Sequence, residues 1–172
     1  MKDTLLPFRD WQILRKGHSH PCSGVYTERL REYVTNKGIK LEYSDAIGSA
    51  EGVSSGGLIR LKKGLSAADE LSVLAHETAH EILHKNRDNL PKDKKVREIE
   101  AEAVAFVVCH GIGLDTNSAS SDYIQLYNGD KKTLLQSLER IQRMAAEILD
   151  AVMVKEPGYV TADEKPCMAV AA

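Results

Sequence analysis

The sequence has little of what would bind the protein to a membrane or to nucleic acid. Its 172 residues carry 23 basic and 25 acidic side chains, so the formal net charge of −2 provides no polycationic surface to neutralise phosphates. There is no apolar run of roughly 18 residues, the length that a membrane-spanning helix needs. We therefore expect no membrane partner, and we do not expect this domain alone to bind nucleic acid. The oligomeric state stays open.

The cysteines are too few and too scattered for a disulfide framework. Cys22, Cys109 and Cys167 are an odd number and form no Cys-x-x-Cys pair. The first residues also lack the continuous apolar core of a signal peptide, because charged residues such as Asp10 and Arg15 interrupt it. Both features predict a reducing, cytoplasmic location.

The composition predicts one globular domain with loose ends. A chain that is 42% hydrophobic and 28% charged is ordinary for a soluble protein, and this length can bury a core without disulfides. Residues 1–23 have no clear periodicity and are predicted to be a poorly structured leader, although its His-Ser-His-Pro-Cys stretch could alternatively bind a metal. Residues 24–154 are predicted to be the domain, and residues 155–172 a flexible tail.

The hydrophobic pattern predicts an α+β fold. Apolar residues at helical spacing alternate with short stretches of strand-like alternation, and Ser66 and Asp69 resemble a capping box at the start of the central helix. We expect a small, mostly antiparallel sheet beside that helix, with further helices towards the C-terminal side. The predicted helices are 25–36, 66–85, 96–110, 121–127 and 130–154, and the predicted strands are 39–43, about 51–54 and 58–62.

The stretch LAHETAHEILH, residues 74–84, has the spacing of a catalytic zinc site. His76 and His80 are four residues apart, so on a helix both rings can point at one ion. Zinc accepts such imidazole nitrogens, and Glu77 is placed to take a proton from a water in the open coordination position. This His-Glu-x-x-His pattern predicts metal-assisted hydrolysis. The alternative is a set of solvated or hydrogen-bonded histidines on an ordinary helix.

A catalytic zinc usually has three protein ligands, so a third must come from elsewhere. His84 lies two turns from His76, too far along a straight helix to share one ion, and we expect it to pack or hydrogen-bond at the helix end. Glu98 and Glu102 share one face of the next predicted helix, whereas Glu100 points elsewhere. Either Glu98 or Glu102 could bind zinc, and the other could accept a hydrogen bond from the second ring nitrogen of a histidine ligand. An acidic, solvated helix face is the alternative.

Together, HETAHEILH and EIEAEAVAFVVC resemble the ImmA/IrrE family of zinc-dependent metallo-endopeptidases, in particular the metallopeptidase-like domains beside antirestriction proteins of the ArdC type on mobile elements. The family pattern HExxHxxLH is followed by E-x-x-A and an apolar run containing phenylalanine. The matching residues are His76, Glu77, His80, Leu83, His84, Glu98, Ala101 and Phe106.

This resemblance, over about residues 25–153, implies a compact zincin-like fold and assigns residue roles. It makes Glu98 the third zinc ligand and leaves Glu102, where many members have asparagine, as the alternative or a supporting residue. It also makes Tyr123 a candidate donor to an oxyanion, with helix packing as the other interpretation.

The predicted function is that of a zinc metallopeptidase that uses one Zn²⁺ ion. The resemblance implies a protein substrate, such as a transcriptional repressor cut in a stress or mobile-element response. The alternative is a non-catalytic metal-binding module, of a regulatory or antirestriction type, that binds a protein or DNA. The intact Glu77 favours catalysis, because a structural zinc needs no such base and usually has four protein ligands.

Overall fold

The computed structural model describes residues 23–85, 93–114 and 131–153, and within them the predicted α+β class is confirmed. The predicted leader up to residue 22, the predicted helix at 121–127 and the tail from residue 155 lie outside the described residues. The described helices are α1 (Ser23–Asn36), α2 (Ala67–Leu83), α3 (Lys94–Gly111) and α4 (Lys131–Val152), and the strands are β1 (Lys40–Tyr43), β2 (Gly52–Ser54) and β3 (Leu58–Leu61).

The sheet is mixed, so the expectation of a mostly antiparallel sheet is wrong. Strand β3 lies in the centre, antiparallel to β2 and parallel to β1, with Lys40 opposite Leu58. Burial explains this order. Ile59 and Leu61 of β3 are fully buried, whereas β1 and β2 are mostly exposed or half-buried, so the most apolar strand takes the central position.

Helix α2 is the central element of the fold. It packs against α1 on one side, α3 on another, and β2 and β3 on a third. Its buried alanines, Ala75 and Ala79, together with Ala101 and Ala105 of α3, leave room for a close approach of these two helices. Helix α4 covers α3 and α1, and its Ile141, Met144, Ala145 and Ile148 complete the core.

Capping interactions define where α2 begins and ends. The Ser66 hydroxyl accepts a hydrogen bond from the Asp69 amide, as the predicted capping box requires, and it donates to the Asp69 carboxylate. The helix ends at the cap residue His84, whose amide donates to the His80 carbonyl. Both ends of the segment that carries the histidines are therefore held in place.

A buried ion pair ties α1 and the sheet to α2. The Glu70 carboxylate, 6% exposed, accepts two hydrogen bonds from the Arg31 guanidinium at 2.8 and 2.7 Å. The Tyr43 hydroxyl of β1 donates to the same carboxylate, and Arg31 lies over the Tyr43 ring. A bidentate pair of this kind fixes orientation as well as distance.

Among the described residues, no helix combines the length and the apolar character that a bilayer crossing requires.

Strand β2 lies directly against α2 at Gly52. A methyl group at this position would lie 2.5 Å from Val73 Cγ1 and 2.8 Å from Glu77 Cγ, closer than ordinary contacts allow. Glycine in a strand interior commonly marks such a close approach. The lack of a side chain at Gly52 therefore sets the spacing between the sheet and the helix that carries Glu77.

Gly52→Ala is expected to lower the free energy of unfolding by about 1–3 kcal/mol, because the added methyl group must displace Val73 or Glu77. The matched control is Gly24→Ala in α1, where an added methyl group meets no atom within 4 Å and the free energy should stay level or rise by up to about 1 kcal/mol. Urea unfolding of both variants measures the difference. Equal effects would contradict the close approach.

Candidate metal centre

Helix α2 brings two imidazole nitrogens together inside the protein. The Nε2 atoms of His76 and His80 lie 3.0 Å apart, and the ring centroids lie 4.7 Å apart in an edge-on arrangement. His76 is 6% exposed and the His80 side chain 16% exposed, because this face of α2 is turned towards α3. The two rings therefore form the inner wall of the site.

Glu98 of α3 provides a carboxylate at the mouth of the same site. Its Oε2 atom lies 3.4 Å from His80 Nε2 and 3.9 Å from His76 Nε2, and its side chain is 49% exposed. Ligand atoms around a tetrahedral zinc, with bonds of roughly 2.0–2.2 Å, lie roughly 3.3–3.5 Å apart. The three atoms are close to that spacing, so the residues fit a zinc ion with only small side-chain adjustments.

The protonation states of these side chains suit a cation. Burial, and then the neighbouring His80, lower the pKa of His76 from its usual 6.5 to about 3, so its imidazole is neutral at neutral pH. The hydrogen bond from His80 lowers the pKa of Glu98, against the opposing effect of partial burial. Metal ligands must be deprotonated, and both groups already are.

Glu77 lies beside this group, between α2 and strand β2. It is 7% exposed, and its burial raises the pKa of the carboxyl, while hydrogen bonds from the Ser54 side chain and backbone act in the opposite direction. The result is a carboxyl group held in a low-dielectric position with a raised proton affinity. Such a group is suited to take up and release a proton.

A second set of contacts continues from His80 into the core. Its Nδ1 atom lies 3.1 Å from Nδ1 of His84, and Nε2 of His84 lies 3.0 Å from Oε2 of Glu100. Glu100 is fully buried, and its other oxygen accepts hydrogen bonds from Ser137 and Arg140 of α4. Burial would raise the pKa of Glu100, but the bonds from His84, Arg140 and Ser137 outweigh it and lower the pKa.

The structure brings together most of the residues predicted for the site. His76, His80 and Glu98 form a metal-compatible group within the described part of the chain, and Glu102 is not a member of it. His84 lies at the helix end, where hydrogen bonding was expected, and its partners are His80 of this group and Glu100. Tyr123 and the His-Ser-His-Pro-Cys stretch lie outside the described residues, so their roles stay predictions.

Sequence reasoning missed several residues that support the site. Glu100 was expected only to point away from Glu98. Its side chain is buried because α4 packs over it, and no local sequence pattern specifies that contact between the two helices. Gly52 and Ser54 belong to a glycine- and serine-rich stretch that suggests a turn. A glycine inside a predicted strand was the one available signal, since it indicates that another element approaches the backbone closely.

Comparison with known proteins gives two matches. A family model described as the IrrE N-terminal-like domain, Peptidase_M78, matches residues 28–114, which contain the three strands, α2 and α3. An uncharacterized protein of Bacillus anthracis, pXO2-81, is 34% identical over 86 residues, which are 48% of this chain and 15% of that protein. This chain thus covers only a small part of that relative. No solved structure matches.

Glu98→Ala is expected to weaken zinc binding by more than about 100-fold, a larger loss than the roughly 10–100-fold typical of a supporting residue. Glu102→Ala on the same helix is the matched control and should leave the zinc dissociation constant nearly unchanged, since Glu102 is outside the group. Titration of zinc against a competing chelator measures both constants. A larger loss from Glu102→Ala would assign the ligand role to that residue.

Proposed function

Because this chain belongs to the ImmA/IrrE family, whose IrrE N-terminal-like domain spans residues 28–114, we propose that it is a zinc metallopeptidase of zincin-like architecture. The observation that carries the proposal is the grouping of His76, His80 and Glu98 beside the buried carboxyl of Glu77. Three protein ligands are typical of a catalytic zinc, whereas a structural zinc usually has four. The described part of the chain offers three, which favours hydrolysis over the alternative of a non-catalytic binding module.

Each side chain has a distinct task in the proposed reaction. A zinc ion held by His76, His80 and Glu98 would supply Lewis acidity, which polarises the scissile carbonyl and makes water more acidic. Glu77 accepts a proton from the attacking water and donates it to the departing amide nitrogen. The raised pKa of Glu77 suits this double role, because the group must hold the proton between the two transfers.

The surroundings of the site fit an extended peptide. Strand β2 is at an edge of the sheet and touches Glu77 through Ser54, so the backbone of a substrate could pair along it. The Glu98 side chain, which borders the site, is 49% exposed, so the site reaches solvent at this residue. We propose a protein substrate, such as a transcriptional repressor, in the cytoplasm.

Glu77→Gln is expected to retain zinc and to lower the rate of peptide-bond cleavage by about 10²–10⁴-fold, because the amide cannot accept the proton. The variant can be co-expressed as a trap that captures the substrate, and cleavage of the captured protein is then followed with the unmodified chain. Glu139→Gln, at an exposed position of α4, is the control and should cleave normally. Unchanged cleavage by Glu77→Gln would refute the proposed base.

Ser54→Ala is expected to move the acid limb of the kcat/KM profile to higher pH. Glu77 works only when ionised, so activity is lost as the pH falls through its pKa. The Ser54 hydroxyl lowers that pKa, and its removal should therefore raise it further. Ser55→Ala, at the neighbouring exposed position, is the control. An acid limb that stays in place, or moves to lower pH, would contradict this electrostatic role.

A further inference from the structure

We propose that Glu81 is a positioning residue for peptide binding: it fixes the edge strand β2 along α2, so that a substrate pairs with the backbone of Gly52. The proposal deepens the proposed function and rests on it for its purpose. Glu81 directly follows the second histidine of the metal pair, but its carboxyl group contacts the turn between β2 and β3 and is not part of the metal group.

The Glu81 side chain is buried against this turn. It is 4% exposed, and its two carboxyl oxygens accept hydrogen bonds from the amides of Gly56 and Gly57 at 2.7 and 2.5 Å. Both glycines have positive φ angles, 71° and 96°, a backbone conformation that other residues rarely adopt. The turn therefore directs two successive amides at one side chain of α2.

The hydrogen bonds of the hairpin show which backbone groups of β2 face away from β3. The Glu51 carbonyl and the Ser55 amide both form hydrogen bonds with β3 or with the residue that follows it. In an antiparallel pair, residues bonded in this way alternate with residues whose N–H and C=O groups point outwards. Gly52 and Ser54 occupy these alternate positions, so their backbone groups point to the open edge of the described sheet.

Two carboxyl groups on successive turns of α2 bind the outward amides. Glu77 accepts from the Ser54 amide as well as from its hydroxyl, and Glu81 accepts from the Gly56 amide, two residues further along the chain. The spacings match, because four residues of a helix rise about 6 Å and two residues of a strand rise about 6.6 Å. Helix α2 and the edge of β2 therefore run in register over this segment.

The same register places a side chain without an acceptor opposite Gly52. One turn before Glu77, α2 carries Val73, whose Cγ1 would lie 2.5 Å from a methyl group on Gly52. An aliphatic side chain cannot accept a hydrogen bond, and Gly52 is only half-buried. Within the described part of the chain, the Gly52 amide and carbonyl are thus left open beside Glu77, where a substrate backbone can exchange two hydrogen bonds with them.

Amide hydrogen exchange, followed by NMR in the full-length chain, tests this pattern first. We expect protection of the three amides that bind carboxyl groups, those of Ser54, Gly56 and Gly57. The Gly52 amide should be protected at least about 10-fold less. A Gly52 amide as protected as that of Ser54 would overturn the proposal, and so would unprotected amides at Gly56 and Gly57. The measurement needs no cleavage, so its outcome is independent of whether the chain hydrolyses a peptide bond.

Two variants of Glu81 then separate hydrogen bonding from packing. Glu81→Gln retains one acceptor oxygen in the same volume, whereas Glu81→Leu fills the space and retains none. We expect the turn amides to lose part of their protection in the first variant and most of it in the second, with zinc binding nearly unchanged in both, since Glu81 is outside the metal group. Full protection in Glu81→Leu would overturn the proposal, as would a loss of zinc binding as large as that of Glu98→Ala.

The effect on peptide binding is measured with the substrate protein that the Glu77→Gln trap captures. Glu81→Leu is expected to raise KM by about 10-fold or more and to change kcat less, because the strand that binds the substrate loses its fixed position while the metal stays in place. Glu81→Gln should have an intermediate KM. A loss confined to kcat would overturn the proposal. Glu139→Gln, at an exposed position of α4, is the control and should keep both constants.

Failure of the positioning role and failure of the proposed function give different results. If the exchange pattern is absent but the unmodified chain cleaves its substrate and Glu77→Gln does not, only the role of Glu81 is wrong. If the exchange pattern is as expected but Glu77→Gln still cleaves, the proposed mechanism is wrong and the fixed edge strand remains.

Discussion

The fold depends on hydrogen bonds and ion pairs to a row of polar side chains that α2 buries in the core. A buried polar group without a partner costs free energy comparable to a lost hydrogen bond, and more if it is charged. Several neighbouring elements supply these partners. Glu70 binds Arg31 and Tyr43, Glu77 binds Ser54, Glu81 accepts from the Gly56 and Gly57 amides, and His84 contacts Glu100.

This arrangement links stability to the properties of the candidate site. The burial that lowers the pKa of His76 and raises that of Glu77 comes from the same packing of α2 against α3 and the sheet. The turn between β2 and β3 is held by Glu81, so the strand that touches Glu77 is fixed to the helix that carries it. The three candidate ligands thus lie on two packed helices, and Glu98 is the most exposed of them.

Local patterns in the sequence predicted the elements and the metal pair, but not how the elements meet. Helical spacing located α2 and α3. The ligand geometry of zinc then indicated His76, His80 and a glutamate of α3 as the metal ligands. The parallel pairing of β1 with β3 could not be read from alternation, which indicates a buried face and not a neighbour. The burial of Glu100 likewise depends on Arg140, forty residues away, and so on tertiary packing.

The most direct test of the account is zinc K-edge X-ray absorption of the full chain loaded with one equivalent of zinc. We predict only nitrogen and oxygen neighbours, at roughly 2.0–2.2 Å, with the scattering pattern of two imidazoles and a further light-atom ligand. A third imidazole would mean that His84 is a ligand rather than a support. A sulfur neighbour at roughly 2.3 Å would place the ion elsewhere and contradict the assignment of His76, His80 and Glu98.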